Sequence, residues 1–166
     1  MRMIFGMTLL TFVHVLLSLI GIGSGFVVLF GLLASRRLNG WTALFLVTTV
    51  LTSVTGFLFP FHRFLPSHGV GVISLIVLAV AIFARYTRQL AGAWRRSYVI
   101  CAMTALYLNV FVLAVQLFEK VPALKAMAPT QSEPPFKIAQ LALLALFIVL
   151  TVLSAVKFRD TAVRTA

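Results

Sequence analysis

The chain has only three acidic residues in 166: Glu119, Glu133 and Asp160. It has one cysteine, Cys101, and 10% of its residues are charged. An ordinary soluble domain is about 25% charged. A lone cysteine closes no internal disulfide, so a secreted disulfide scaffold is excluded. No paired carboxylates, Ser/His/Asp set or phosphate-binding loop is present. Apolar surface stands where charge is missing: 61% of the residues are hydrophobic and the mean hydropathy is +1.10. A soluble fold of this length cannot hide that much, because its surface-to-volume ratio is too high. A disordered chain needs the opposite composition. The sequence reads as a multi-pass membrane protein.

Charge of one sign dominates what little there is. Fourteen Lys and Arg against three acids give a formal +11. In a soluble protein that excess would suggest nucleic acid. Here the basic residues fall in short runs between apolar stretches, as flanks of membrane spans do. The aromatics are mostly Phe inside the apolar runs, not interleaved with the cations as on a base-stacking surface. Nucleic acid is not an expected partner; the lipid bilayer is.

A span needs about 20 mainly apolar residues. Five segments qualify, at about 3–34, 41–59, 69–84, 97–118 and 136–156, with an outer loop at 119–135 whose stretch 128–135 is polar and proline-rich and whose stretch 121–127 could form a short interfacial helix. The runs lack barrel-like alternation, and bare backbone is not tolerated in hydrocarbon, so helices are expected. The expected fold is all-α, a single bundle of five transmembrane helices over residues 1–166. The first segment would reach about 48 Å if fully helical, so it must tilt, protrude or begin with a turn. Arg2 ahead of an apolar run resembles a signal peptide, but no A-x-A-like cleavage site follows. Nine basic residues fall on one side of this topology and five on the other. The richer side, with Arg36, Arg37, Arg85, Arg88, Arg95, Arg96 and the tail, is expected to be cytoplasmic. The N-terminus is then outside and the C-terminus inside.

Lipid tails are as apolar as leucine, so polar and small residues mark the faces that meet other helices. Thr11, His14, Ser18, Gly21 and Gly25 share one face of the first helix. Gly21 and Gly25 form a small-xxx-small pair for close approach. Thr48, Thr52 and Thr55, flanked by Thr49, Ser53 and Gly56, do the same on the second helix. The fourth offers Tyr98, Ala102, Ala105, Asn109, Gln116 and Glu119, and the fifth Gln140, Leu144, Phe147, Thr151 and Ser154. Gly21-Ile22-Gly23-Ser24-Gly25 is not a dinucleotide fingerprint, because Phe26 stands where its third glycine belongs and no strand precedes it.

All three histidines fall toward the outer side. His14 lies within a span, and His62 and His68 flank the loop between the second and third helices. Ionisable groups inside spans are costly and usually mark function or a specific partner. Three chemistries fit. Two histidines at matching depth could ligate a b-type haem iron. His14, His62, His68 and Glu119 could hold a metal ion. His14, His62, His68, Asn109 and Gln116 could line a cofactor site, hydrogen-bonding the carbonyls of a quinone, with histidine exchanging the proton. The plainer alternative makes the loop histidines interfacial and His14, Asn109 and Gln116 interhelical glue. No pair has a diagnostic metal spacing.

The run Trp94-Arg95-Arg96-Ser97-Tyr98 and the stretch Ala128-Pro129-Thr130-Gln131-Ser132-Glu133-Pro134-Pro135-Phe136 resemble small multi-pass proteins of bacterial inner membranes, a family of unknown function. That family typically has a His-Arg pair before its second helix; here the loop reads Arg36-Arg37-Leu38-Asn39-Gly40-Trp41. The resemblance implies a bacterial cytoplasmic membrane and no activity. Three roles remain open: a non-catalytic subunit or scaffold with a membrane-protein partner or a second copy, a redox-associated protein built on the outer histidines, and a small-solute transporter.

Overall fold

Thr8 decides where the first long helix begins. Its backbone is extended, and its hydroxyl accepts a hydrogen bond from the Thr11 amide at 3.2 Å, which satisfies one of the helix's orphan donors. The computed structural model describes residues 3–4, 7–59 and 66–159. Upstream of the cap, β1 (Met3–Ile4) pairs antiparallel with β2 (Met7–Thr8). Helix α1 therefore runs Leu9–Leu33, 25 residues and about 38 Å, rather than 3–34. The apolar run is longer than the helix because its first residues pair with each other before the cap.

The rest of the described chain is helical between short connections. Helix α2 spans Asn39–Gly56 and α3 spans Pro66–Ile82. A π-turn at Phe83–Thr87 ends α3. Helix α4 is Trp94–Lys120, α5 is Pro122–Met127 and α6 is Pro134–Lys157. Against the expected 41–59, α2 stops at Gly56, because the Phe57 and Leu58 amides turn back to the Val54 and Thr55 carbonyls at 3.1 Å. Such i→i−3 closure tightens a helix end. The other three spans start a few residues before the expected 69, 97 and 136. The loop 119–135 contains α5, with Pro122 in its first turn, where a missing amide costs nothing.

Among the described residues four helices are long and apolar enough to cross a membrane: Leu9–Leu33, His68–Thr87, Trp94–Lys120 and Pro134–Lys157. The chain is a multi-pass helical bundle. By length and apolarity alone, the five expected spans become four. The shortfall is α2, whose 18 residues include Thr42, Thr48, Thr49, Thr52, Ser53 and Thr55.

Small residues let these helices close up. A Cβ on Gly25 would lie 2.5 Å from Leu106 Cδ1 and 3.0 Å from the Phe45 ring, so only glycine admits α2 and α4 this close to α1. The buried core collects Leu29, Phe45, Leu78, Tyr98, Met103 and Leu106. Helix α4 touches α1, α2, α3 and α6, while α6 lies at the periphery with a largely exposed apolar face.

Hydrogen bonds fix which helix ends meet. Ser35, just after α1, donates to the Arg159 carbonyl and accepts from the Arg159 amide, both at 2.9 Å. Arg85 Nη2, in the π-turn, donates to Asn39 Oδ1 at the start of α2, at 2.6 Å. Near the other end, His14 of α1 meets Thr55 of α2. Helix α2 thus lies antiparallel beside α1.

Candidate functional site

The outer end is where the sequence places its candidate cluster. His14 Nδ1 lies 2.9 Å from Thr55 Oγ1. The Thr55 hydroxyl also lies 2.8 Å from the Leu51 carbonyl, so when it donates there the Nδ1–H tautomer of His14 is the donor to Thr55. Nε2 then keeps its lone pair. The imidazole stands edge-on to Phe59, with ring centroids 5.2 Å apart, and Gly56 leaves room beside Cε1. His68 is buried and packs against a different ring, Phe57, at 5.8 Å. The turn after α2 therefore meets both histidines, each on a separate aromatic partner. His62 lies outside the described residues.

The remaining predicted residues disperse along the bundle. Asn109 Nδ2 donates to Thr49 Oγ1 at 3.3 Å, beside Gly21, joining α4 to α2. Ser53 donates to Ser74 at 3.1 Å, joining α2 to α3. Gln140 Nε2 reaches the Phe111 carbonyl at 3.4 Å, joining α6 to α4, and its Oε1 is buried without a partner. Gln116 is half-buried, and Glu119 is exposed near the end of α4. Among the described residues no three His, Cys, Asp or Glu side chains group as a metal site would require. The expected metal set of His14, His62, His68 and Glu119 is therefore not assembled by its described members. His14 makes the interhelical hydrogen bond of the plainer alternative, with Thr55 as its partner.

The opposite end holds an arrangement whose arginines stand out in the sequence only as a topology signal. Arg85 is buried, and its guanidinium lies 5.3 Å from the Tyr98 ring centroid and 5.8 Å from that of Tyr86. Bonding to Asn39 and the two aromatic faces compensate its desolvation in place of a carboxylate. Nearby, Arg37, Arg95, Arg96 and Arg159 line a cleft of about 890 Å³ with the 89–92 turn and the last turn of α6. Gln89, Leu90 and Gly92 in that turn all have positive φ. Arg95 is held by a bond from Nη1 to the Phe158 carbonyl at 2.8 Å. Two non-glycine residues adopt these angles without a turn-forming sequence signal, so the cleft is not legible in the sequence.

No family model matches this chain, and no curated protein or solved structure matches it either.

Proposed function

We propose that the chain is a non-catalytic subunit or scaffold of the bacterial cytoplasmic membrane, a five-span bundle with its N-terminus outside. The observation that carries this reading is the use made of polar side chains within the helices. His14, Ser53, Asn109 and Gln140 each serve a different helix pair instead of facing one shared space. Thr48, Thr104 and Thr151 return their protons to carbonyls of their own helices. Polar groups spent in this way hold helices together and leave little for substrate.

The same bonding supports α2 as the fifth span. Most of its hydroxyls are satisfied without water: Thr48 and Thr55 back-bond to the preceding turn, and Ser53 donates to Ser74. A helix of about 27 Å beside α1, bonded near both ends to its neighbours, suits a hydrocarbon core of about 30 Å. The basic residues then divide nine inside and five outside, as the orientation rule prefers. The bacterial inner membrane is supported by the resemblance at Trp94–Tyr98, and the exposed apolar face of α6 suits lipid or a partner helix.

A second reading, haem, metal or quinone binding at the outer histidines, rests on the Nε2 lone pair of His14. Purification of the full chain in mild detergent separates the two. The subunit reading expects no Soret band, no stoichiometric metal, no extractable quinone and no solute flux in liposomes. It also expects a native mass above the 18.2 kDa of one chain. A chromophore or quinone that disappears in His14→Leu overturns it in favour of the second reading.

A further inference from the structure

We infer that the His14 end of the bundle holds a laterally open crevice, between α1 and α6, that takes one acyl chain of a membrane phospholipid. The floor and back of the crevice are a single stripe of α4: Val99, Met103, Leu106, Val110, Leu113 and Leu117 recur at alternating helical spacings. The first three are at most 1% exposed, Val110 and Leu113 are half-buried, and Leu117 is 42% exposed. The flanking helices loosen in the same direction. On α1, Leu29 and Ile22 are buried, whereas Val15 is half-buried and Leu19 is 51% exposed. On α6, Ser154 and Phe147 are buried, whereas Leu143 and Gln140 are only half-buried.

The two flanking helices part because each follows a different neighbour. They meet at mid-span, where Phe26 of α1 and Tyr107 of α4 both pack on Phe147, with ring centroids 6.4 and 5.7 Å apart. Beyond that level His14 ties α1 to Thr55 of α2. Helix α6 instead packs Phe136 on Phe118 at 5.3 Å and sends Gln140 to the Phe111 carbonyl. Phe111 and Phe118 lie about 120–140° round α4 from Leu106, at 3.6 residues per turn. The stripe over Val110 and Leu113 is therefore left uncovered between them.

Walls and depth select the occupant. The polar groups beside the stripe already serve the helices: His14 meets Thr55, Ser18 donates to the His14 carbonyl, and Gln140 Nε2 reaches Phe111. What remains is apolar, so water gains nothing there, and an empty gap forfeits dispersion contacts. From Leu106 to Leu117 the crevice is about 16 Å long, close to half of a hydrocarbon core of about 30 Å. A partner helix needs the whole thickness, and the Phe26–Phe147 contact closes the other half. A hydrocarbon chain anchored in one leaflet fits both the length and the walls.

The inference rests on the membrane character of the bundle and goes beyond the subunit role. Native mass spectrometry of the full chain, washed with excess mild detergent, should show one phospholipid retained per chain. Phosphatidylcholine and phosphatidylglycerol should be retained equally after exchange, because the chain is held and not the headgroup. Leu113→Trp, which fills the crevice, should lose most of the retained lipid. Val110→Phe fills it less severely and gives the same reading if the tryptophan variant does not fold. Ile148→Trp, on the exposed face of α6, should keep the lipid as the native chain does. Lipid is counted per chain, so the subunit role can fail on native mass without touching this result. A native chain that retains no phospholipid, equal loss in Ile148→Trp, undiminished lipid in the crevice variants, or loss of a second polypeptide in place of lipid would overturn the inference.

Discussion

His14 illustrates what one residue in a span can tell. Its place on the polar stripe of α1 was legible from spacing, but its partner was not. Partners depend on how two helices are rotated against each other, and a sequence read one helix at a time holds no such angle. The hydrogen bond to Thr55 predicts a small, local role. His14→Leu should cost about 0.6 kcal/mol, the average for an interhelical bond in a membrane. A double-mutant cycle with Thr55→Val should return that value as coupling; strictly additive losses would remove the bond from the account. The glycines give a sharper contrast. Gly25→Ala drives a Cβ to 2.5 Å from Leu106, and overpacking of that kind costs about 1–3 kcal/mol. Gly23→Ala meets nothing within 4 Å and should be neutral or slightly stabilising. Equal unfolding midpoints for the two would contradict the close approach of α1, α2 and α4.

Among elements, helix existence was legible throughout, because long apolar runs without alternation leave few alternatives. The ends were less so. The pairing of Met3–Ile4 with Met7–Thr8 hides inside an unbroken apolar run, and the positive φ at Gln89 and Leu90 follows no glycine or asparagine signal. The connection before α6 is held by chemistry that can be titrated. Burial raises the Glu133 pKa, but the Thr130 hydroxyl and the amides of Glu133, Thr130 and Ser132 outweigh it and hold the carboxyl below its ordinary value. Thr130 Oγ1 donates at 2.8 Å and the Thr130 and Ser132 amides at 3.1 and 3.0 Å. A depressed folded pKa means that the loop's stabilisation is complete above the unfolded value of about 4.3. It is lost as pH falls through the lower folded value. Protection of the Thr130 and Ser132 amides from exchange, relative to an unstructured chain at the same pH, should therefore fall on acidification below that range, and Glu133→Gln should flatten the dependence. Protection in the native chain that ignores acid would rule this out.

At the scale of the molecule, the question is whether α2 crosses the bilayer. Composition alone separates it from the other long helices by its hydroxyls, whereas its bonds to α1, α3 and α4 treat it as an equal member. Reporter fusions decide between these. With five spans and an outside N-terminus, alkaline phosphatase should be active after Ser67 and inactive after Ala91. The reverse pattern is what an N-out chain gives if α2 fails to cross. Activity at both sites would require a different helix count altogether. The polar stripes on α1, α2 and α4 do face their neighbours, as the sequence suggested, because an interhelical face is a local property of spacing. On α6 the stripe is only half right: Phe147 and Ser154 are buried, but Leu144 is 38% exposed.

The pair of bonds between Ser35 and Arg159 has a consequence for how the molecule comes into being. Those residues are 124 positions apart, so the ribosome finishes all of α1 to α6 before the second partner exists. Until then the hairpin of α1 and α2 waits with its connecting loop unfastened. The Arg95 bond to Phe158 waits in the same way. Closing so long a loop carries an entropic cost that local helix pairing does not. Synthesis thus has a built-in order, with the residues that follow α6 acting as the clasp on the connection between α1 and α2.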